Sequence, residues 1–171
     1  LYRQILVSLK LNPIHQNVKM QIREQIDFAT VLYNKGLHRQ SLKILDKAKG
    51  VAVFNEENNL AYEIVELEKV VESQYITRSM TSRADDLIAE SKDLSEKTLL
   101  LSKLSNLSLQ LYSILLKKGY VSNDEDYEEV KRFFESSLPE YNIRKLGLKE
   151  KLYLYKAMLW YNFITQDFVN C

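Results

Sequence analysis

Gln25–Ala52, QIDFATVLYNKGLHRQSLKILDKAKGVA, carries the clearest structural signal in this 171-residue chain. Before Gly36, apolar residues recur at helical spacing with charged residues between them, so one face of a helix can be buried. Gly36 can adopt the left-handed conformation that ends many helices. From Leu42 onward, leucine and alanine return at spacings of three and four. The stretch therefore predicts two helices that run in opposite directions and are joined by a tight turn at Gly36.

Weaker copies of this pattern follow along the chain. Turns are expected near residues 36, 80, 119–123 and 166, about 40 to 47 residues apart, and such a period is typical of repeat architectures. The spacing predicts a single domain over residues 1–171 made of four helical pairs. The pairs are placed at about 13–54, 56–96, 100–138 and 148–171, with the last one cut short.

Residues 83–118 can be interpreted in two ways. They can form one helix of about 50 Å, at 1.5 Å per residue. The repeat spacing instead requires a reversal between Glu96 and Ser102, where Ser95 or Ser102 could cap a new helix. The four-pair prediction depends on that reversal.

Two short runs, Ala29–Gly36 and Ser41–Ala48, resemble a tetratricopeptide repeat, a helix-turn-helix unit. Ala29, Ser41 and Ala48 stand where that family has small residues, which let two helices approach. The resemblance implies an all-α fold, an α-α superhelix (solenoid) of about four antiparallel hairpins. It also implies a non-catalytic scaffold that binds a peptide or protein partner in its concave groove.

The match is to a longer, bacterial-type form of the repeat and is incomplete. Gln25 replaces the usual tryptophan, and Val51–Asn55 contains no proline. In such repeats the first helix of each pair lines the groove. The residues thereby implied as groove-facing are Arg23, Thr30, Tyr33, Asn34, Lys69, Asn106, Ser113, Lys117, Tyr153 and Lys156.

Charge and composition restrict the classes of partner. The formal net charge is +1, which gives no overall field toward nucleic acid or an anionic membrane. Residues 1–50 nevertheless hold nine basic and three acidic side chains, whereas residues 51–90 hold three basic and nine acidic side chains. No uninterrupted apolar run approaches 18 residues. Neither nucleic acid nor a membrane is therefore expected as a partner, and self-association stays open.

Catalytic and metal-binding patterns are weak. His15 and His38 both lie near expected helix starts, where imidazole is ordinarily solvated, and neither has a histidine partner at i+4. The four isolated glycines cannot form a phosphate-binding loop. Asn123–Glu129 is acidic but lacks the glycine of a calcium loop, so it is better explained as a capped helix start. No enzyme activity, metal or cofactor is expected.

An aromatic run near the end of the chain has two interpretations, core packing or a peptide-binding surface. Its members are Tyr153, Tyr155, Trp160, Tyr161, Phe163 and Phe168. A regular apolar series in the same region is expected to face inward, as part of the first helix of the fourth pair. It consists of Leu148, Leu152, Tyr155, Leu159 and Phe163.

The single cysteine, Cys171, allows no internal disulfide, and the start lacks both a methionine and a signal-peptide layout. A cytoplasmic piece of a longer protein is expected. Two other functions remain open: the sensory or oligomerising region of a larger regulator, and a receptor domain for a small peptide.

Overall fold

The computed structural model describes residues 4–5, 17–74 and 80–167, and within these ranges the chain is all-α, without strands. It divides into two compact units, Leu1–Ser95 and Glu96–Cys171. The described helices are α1 (Val18–Asn34), α2 (His38–Phe54), α3 (Asn58–Gln74), α4 (Met80–Lys118), α5 (Asp124–Ser137) and α6 (Leu148–Thr165).

The first three helices form a regular series. Each is 17 residues long, and their first residues, Val18, His38 and Asn58, are twenty positions apart. Three-residue connections force neighbouring helices to run in opposite directions, and α1 packs on α2 as α2 packs on α3. This packing of adjacent helices is consistent with a helical repeat.

Gly36 ends α1 as predicted. Its φ is +75°, in the left-handed region that glycine enters at little cost. The amide of Leu37 donates to the carbonyl of Leu32, and the amide of Gly36 donates to that of Tyr33, both at 2.9 Å. These two hydrogen bonds satisfy carbonyls that the helix would otherwise leave free.

The same hydrogen-bond pattern ends α2 without a glycine. Glu56 adopts φ 53°, and the amide of Glu57 donates to the carbonyl of Ala52 at 2.8 Å. The amide of Glu56 donates to Val53 at 3.1 Å. The turn at Gly36 and the turn at Glu56 therefore share one geometry, although only the first has a recognisable sequence signal.

The predicted turn glycine at the end of α4 is also confirmed. Gly119 has φ +76°, and its amide donates to the carbonyl of Leu115 at 2.9 Å. The predicted break near Gln166 is confirmed too, since Gln166 adopts φ 59° and ends α6. The partner helix expected after it, together with Phe168, lies outside the described residues.

Small residues let α1 and α2 approach closely, as expected. Ala29, Ser41 and Ala48 are all buried. The hydroxyl of Ser41 donates a 2.8 Å hydrogen bond to the carbonyl of Ala29, across the contact between the two helices. Around them, α1, α2, α3 and the start of α4 bury one apolar core that includes Ile22, Leu45, Ile64 and Leu87.

Two predicted helix starts are wrong. α1 was expected from about Pro13, but it begins at Val18, where the side chain of Asn17 accepts a hydrogen bond from the amide of Met20 at 3.0 Å. Asn12–Pro13, a dipeptide that favours a helix start, lies outside the described residues. α3 was expected from about residue 56 with acidic residues in its first turn, but it begins at Asn58, so Glu56 and Glu57 precede the helix.

The predicted reversal between Glu96 and Ser102 is also wrong. α4 continues without a break from Met80 to Lys118 over 39 residues. Neither glycine nor proline interrupts it. The hydroxyl of Ser95 donates to the carbonyl of Lys92, one turn back in the same helix, and so does not cap a new one. The helix expected to begin the third pair near residue 100 is therefore the second half of α4.

The second unit, Glu96–Cys171, has two adjoining apolar clusters. One contains Leu107, Leu111, Val130, Ala157 and Ile164, and the other contains Leu104, Leu146 and Leu154. The amide of Val121 donates to the carbonyl of Ile164 at 3.0 Å and holds the α4–α5 connection against α6. α5 starts as expected, since the Asn123 side chain accepts from the amide of Asp126 at 2.8 Å.

Candidate functional site

The candidate site is a groove of about 460 Å³ between α4 and α6 in the second unit, here called the α4/α6 groove. Ligand-binding pockets commonly have volumes of roughly 300–1,000 Å³. The side chains around this groove are aromatic or polar, with one leucine. They are Ser105, Asn106, Ser108, Leu109 and Tyr112 of α4, with Tyr153, Lys156 and Trp160 of α6.

Helical spacing places these side chains on the groove. Leu104, Leu107 and Leu111 are buried on one side of α4, which directs residues 105, 109 and 112 toward the groove and solvent. On α6, Leu154 and Ala157 are buried in the core. Residues 153, 156 and 160, at spacings of three and four, lie on another side of the helix and line the groove. The groove is therefore built on two helices that are anchored in the core of the second unit.

Aromatic rings form one wall of the groove. The ring centroids of Tyr112 and Trp160 are 4.9 Å apart, and those of Trp160 and Phe163 are 6.3 Å apart. The indole Nε1 of Trp160 is buried and has no hydrogen-bond acceptor among the described residues. A buried donor without an acceptor costs about 1–3 kcal/mol, so this nitrogen is a destabilising feature of the aromatic wall.

The charge at the groove is basic. Lys156 lies at its exposed rim, and no carboxylate is among the described residues that line it. Asn106, Ser105 and Ser108 supply both donors and acceptors. The arrangement suits a ligand with backbone carbonyls, a carboxylate and an apolar or aromatic side chain.

Three of the ten predicted groove residues lie together here, namely Asn106, Tyr153 and Lys156. Ser113 and Lys117 are on α4 but are not among the residues that line the groove. Trp160 belongs to the aromatic run for which a peptide-binding surface was one interpretation. No sequence signal singled out Tyr112, because an aromatic residue in a helix is more often part of the core than of a groove.

The other five predicted residues are in the first unit. Arg23 and Asn34 are exposed on α1. Thr30 donates to the carbonyl of Ile26 in its own helix at 2.9 Å, and the ring of Tyr33 lies 5.6 Å from that of His38. His38 is half-buried, contrary to the expected solvated imidazole, whereas His15 lies outside the described residues.

The fifth of these residues, Lys69, borders a separate cavity of about 230 Å³ in the first unit. Its ammonium group pairs with Glu66 and contacts the Ser91 hydroxyl at 3.2 Å. The cavity is largely apolar, with Leu87 and Ile88 on one side, and its polar edge is the Arg83–Glu72 ion pair. Lys69 is therefore held by contacts within this unit.

Buried glutamates beside this cavity were not predicted. Glu68 is fully buried, and its carboxylate is 2.8 Å from the Lys49 ammonium, which also pairs with Glu90 at 2.8 Å. Arg83 lies 3.9 Å from the same carboxylate. Burial raises the pKa of Glu68 above its ordinary 4.5, and the hydrogen bond from Lys49 offsets this only in part.

The apolar series on α6 faces the opposite way from the prediction. Leu148, Leu152, Tyr155, Leu159 and Phe163 are all exposed, whereas Leu154, Ala157 and Ile164 are buried. α6 thus carries two apolar series at helical spacing, and the core takes the other one. Tyr153, Trp160 and Tyr161 of the aromatic run are half-buried and pack against the apolar clusters of the second unit, as the core interpretation predicts. Tyr153 and Trp160 also line the groove.

Two further properties of the chain bear on metals and membranes. Within the described residues, no group of three or more His, Cys, Asp and Glu side chains could hold a metal ion. Residues Arg83–Lys118 of α4 are long and apolar enough to cross a membrane by length and composition, with mean hydropathy 1.3 over 18 residues, of which 22% are buried. Mostly buried core helices of soluble proteins also pass this test, but this 18-residue window is mostly exposed, so the absence of a membrane partner stays a prediction.

Comparisons of the chain with known proteins found no related protein. No protein-family model matches the chain. Neither a curated protein nor a solved structure matches it.

Proposed function

We propose that this chain is a non-catalytic interaction scaffold, which binds a peptide or protein partner in a groove of a tetratricopeptide-like helical repeat. The equal lengths of α1, α2 and α3 support the repeat part of the proposal. The buried small residues Ala29, Ser41 and Ala48 support the tetratricopeptide resemblance. Helical repeats of this kind commonly present extended binding surfaces.

The observation that carries the binding part is the α4/α6 groove. It combines an aromatic wall at Tyr112 and Trp160 with the Asn106 amide and the Lys156 ammonium. Rigid aromatic side chains provide large contact areas, and amides pair with peptide backbone groups. A short extended peptide segment with an acidic residue fits this combination best.

We propose no catalysis for the groove because its hydroxyl groups lack the usual activating base. Ser105 and Ser108 are the candidate nucleophiles, and no histidine or carboxylate is among the described residues that line the groove. A serine hydroxyl is a weak nucleophile unless a neighbouring base takes its proton. Binding is therefore the better interpretation.

A displayed library of random peptides, selected on the purified chain, tests the proposal. Selected peptides should bind in fluorescence anisotropy, and Asn106→Arg should weaken them at least tenfold by filling the groove. The matched control Asn59→Arg, at an exposed position of α3, should not change affinity. Selection of no peptide, or equal binding by the Asn106→Arg chain, would contradict the proposal.

A second candidate, a receptor for a small peptide, is favoured by the groove volume of about 460 Å³. Such a receptor often retains its ligand through purification. Native mass spectrometry of the purified chain would then show an added mass that disappears in the Asn106→Arg variant. A simple scaffold should carry no added mass.

A further inference from the structure

The exposed apolar series of α6 forms a continuous line, here called the α6 stripe. It consists of Leu148, Leu152, Tyr155, Leu159 and Phe163, whose exposure falls from 74% at the first to 36% at the last. Spacings of four, three, four and four keep these residues on one side of the helix over about 22 Å. Single exposed leucines are common on proteins, but a regular line along a whole helix is not.

From Leu148 to Leu159, the spacing of the stripe is that of a helix–helix contact. Alternating steps of four and three are typical of the apolar seam along which two helices pack side by side. The stripe is only one residue wide, so it fits a single helix better than a broad surface. Its occupant is therefore expected to be helical.

The charges beside the stripe are basic on both sides. At 100° per residue, Lys151 and Lys156 lie on opposite flanks of the line through Leu152 and Leu159. Neither lysine forms an ion pair with a carboxylate in the part of the chain that the structure describes. Lysines that flank an apolar seam complement acidic residues at the corresponding positions of a partner helix.

The stripe also adjoins the α4/α6 groove. Lys156 lines the groove and flanks the stripe, and the ring of Trp160 in the groove lies 6.3 Å from Phe163 in the stripe. One partner could therefore contact both surfaces. A second copy of α6 fits less well, because symmetric pairing along the stripe would bring lysines toward lysines.

We propose that the α6 stripe docks an amphipathic helix of a partner protein, whose apolar seam is flanked by acidic residues. This inference rests on the proposed scaffold function and defines its class of partner. The stripe supplies the apolar contact. Lys151 and Lys156 select against helices with basic flanks.

A synthetic probe tests the proposal directly. The probe is a fluorescein-labelled 21-residue peptide with leucine at the two seam positions of each heptad and glutamate on both flanks. A matched analogue has lysine in place of each glutamate. The acidic probe should bind the whole chain in fluorescence anisotropy at least tenfold more tightly than the basic analogue, and raised salt should reduce the difference.

Variants of the chain locate the contact. Leu152→Gln with Leu159→Gln should reduce binding of the acidic probe at least tenfold. The matched control, Ile88→Gln with Leu99→Gln, removes two comparably exposed apolar residues of α4 and should leave binding unchanged. Lys151→Glu with Lys156→Glu should reverse the preference, so that the basic analogue binds more tightly. Circular dichroism checks that each variant keeps its helices.

Several results would overturn the inference. Equal binding of both probes, or unchanged binding to the stripe variant, would remove the stripe as the docking site. Sedimentation of the chain as a dimer that the stripe variant abolishes would assign the stripe to a second copy. Binding to phosphatidylserine vesicles without binding of the acidic probe would assign it to a membrane. If library peptides still need Asn106 while the acidic probe does not bind, the scaffold function stands and only this inference fails.

Discussion

The hydroxyl of Ser41 donates to the carbonyl oxygen of Ala29 at 2.8 Å, and both residues are fully buried where α1 packs on α2. Ser41→Ala should lower the free energy of unfolding by about 1 kcal/mol, because it removes one hydrogen bond. Ser41→Leu should lower it by roughly 1–3 kcal/mol through overpacking. Urea unfolding measures both.

The control for this contact is Gln40→Leu, at the preceding, exposed position of α2. It should change the free energy of unfolding by no more than about 0.5 kcal/mol. If Ser41→Leu proved as well tolerated as this control, the close approach of α1 and α2 at Ser41 would be wrong.

Alanine substitution of two glycines, one in the turn after α1 and one inside α2, should change the free energy of unfolding in opposite directions. Gly36 has φ +75°, and no atom lies near its missing side chain, so Gly36→Ala should cost about 1 kcal/mol from backbone conformation alone. Gly50 lies inside α2, also with open space around it, and Gly50→Ala should gain about 0.5–1 kcal/mol. Thermal unfolding of the two variants gives the comparison, and shifts of equal sign would refute the left-handed turn.

The pKa values of two glutamates on α3 should lie on opposite sides of the ordinary value for a glutamate side chain. Burial raises the pKa of Glu68, while the hydrogen bond from Lys69 lowers the pKa of Glu66 below 4.5. Carboxyl-carbon NMR across a pH series should therefore find Glu66 ionising before Glu68. The reverse order would place the Glu68 carboxyl in solvent.

The raised pKa of Glu68 makes the free energy of unfolding depend on pH. Between 4.5 and the raised pKa of Glu68, the folded chain holds this proton more tightly than the unfolded chain does. The contribution of Glu68 to the free energy of unfolding therefore falls as pH rises through that window. Urea unfolding at several pH values should show that Glu68→Gln removes this decline, whereas an unchanged pH profile would contradict it.

The continuity of α4 can be tested with proline. Glu96 is exposed in the middle of the helix, so Glu96→Pro should cost about 3 kcal/mol or more through the lost hydrogen bond and the steric clash. Glu96→Ala should be nearly neutral. Circular dichroism and urea unfolding report the loss. If the proline variant were as stable as the alanine variant, a reversal near Glu96 would again be the better interpretation.

Local signals in the sequence predicted helix ends well where one residue type determines the geometry. Gly36 and Gly119 needed only their own conformational freedom, and Asn123 needed only its side-chain oxygen. Glu56 takes the same left-handed conformation as Gly36 with no such signal. The reversal near Glu96 failed because it was inferred from repeat spacing, whereas the residues themselves contain no helix breaker.

The packing of one helix against another could not be predicted from the spacing of apolar residues within each helix. α6 offers two apolar series of similar regularity, and only the packing of the second unit decides that Leu154 is buried and Leu152 is exposed. Glu68 is charged and would be assigned to the surface by pattern alone. It is buried because Lys49 comes from α2 and Arg83 from α4, and neither neighbour is close in sequence.

The three-residue connections between α1, α2 and α3 also affect where a protease can cut the chain. A protease must bind several residues in an extended form before it can cut. The turns at 35–37 and 55–57 are too short and too fully hydrogen-bonded to provide that length. Residues 138–147, between α5 and α6, form the longest link between helices in the described parts of the chain. Mild digestion should therefore cleave this link before it cleaves either of the turns at 35–37 and 55–57.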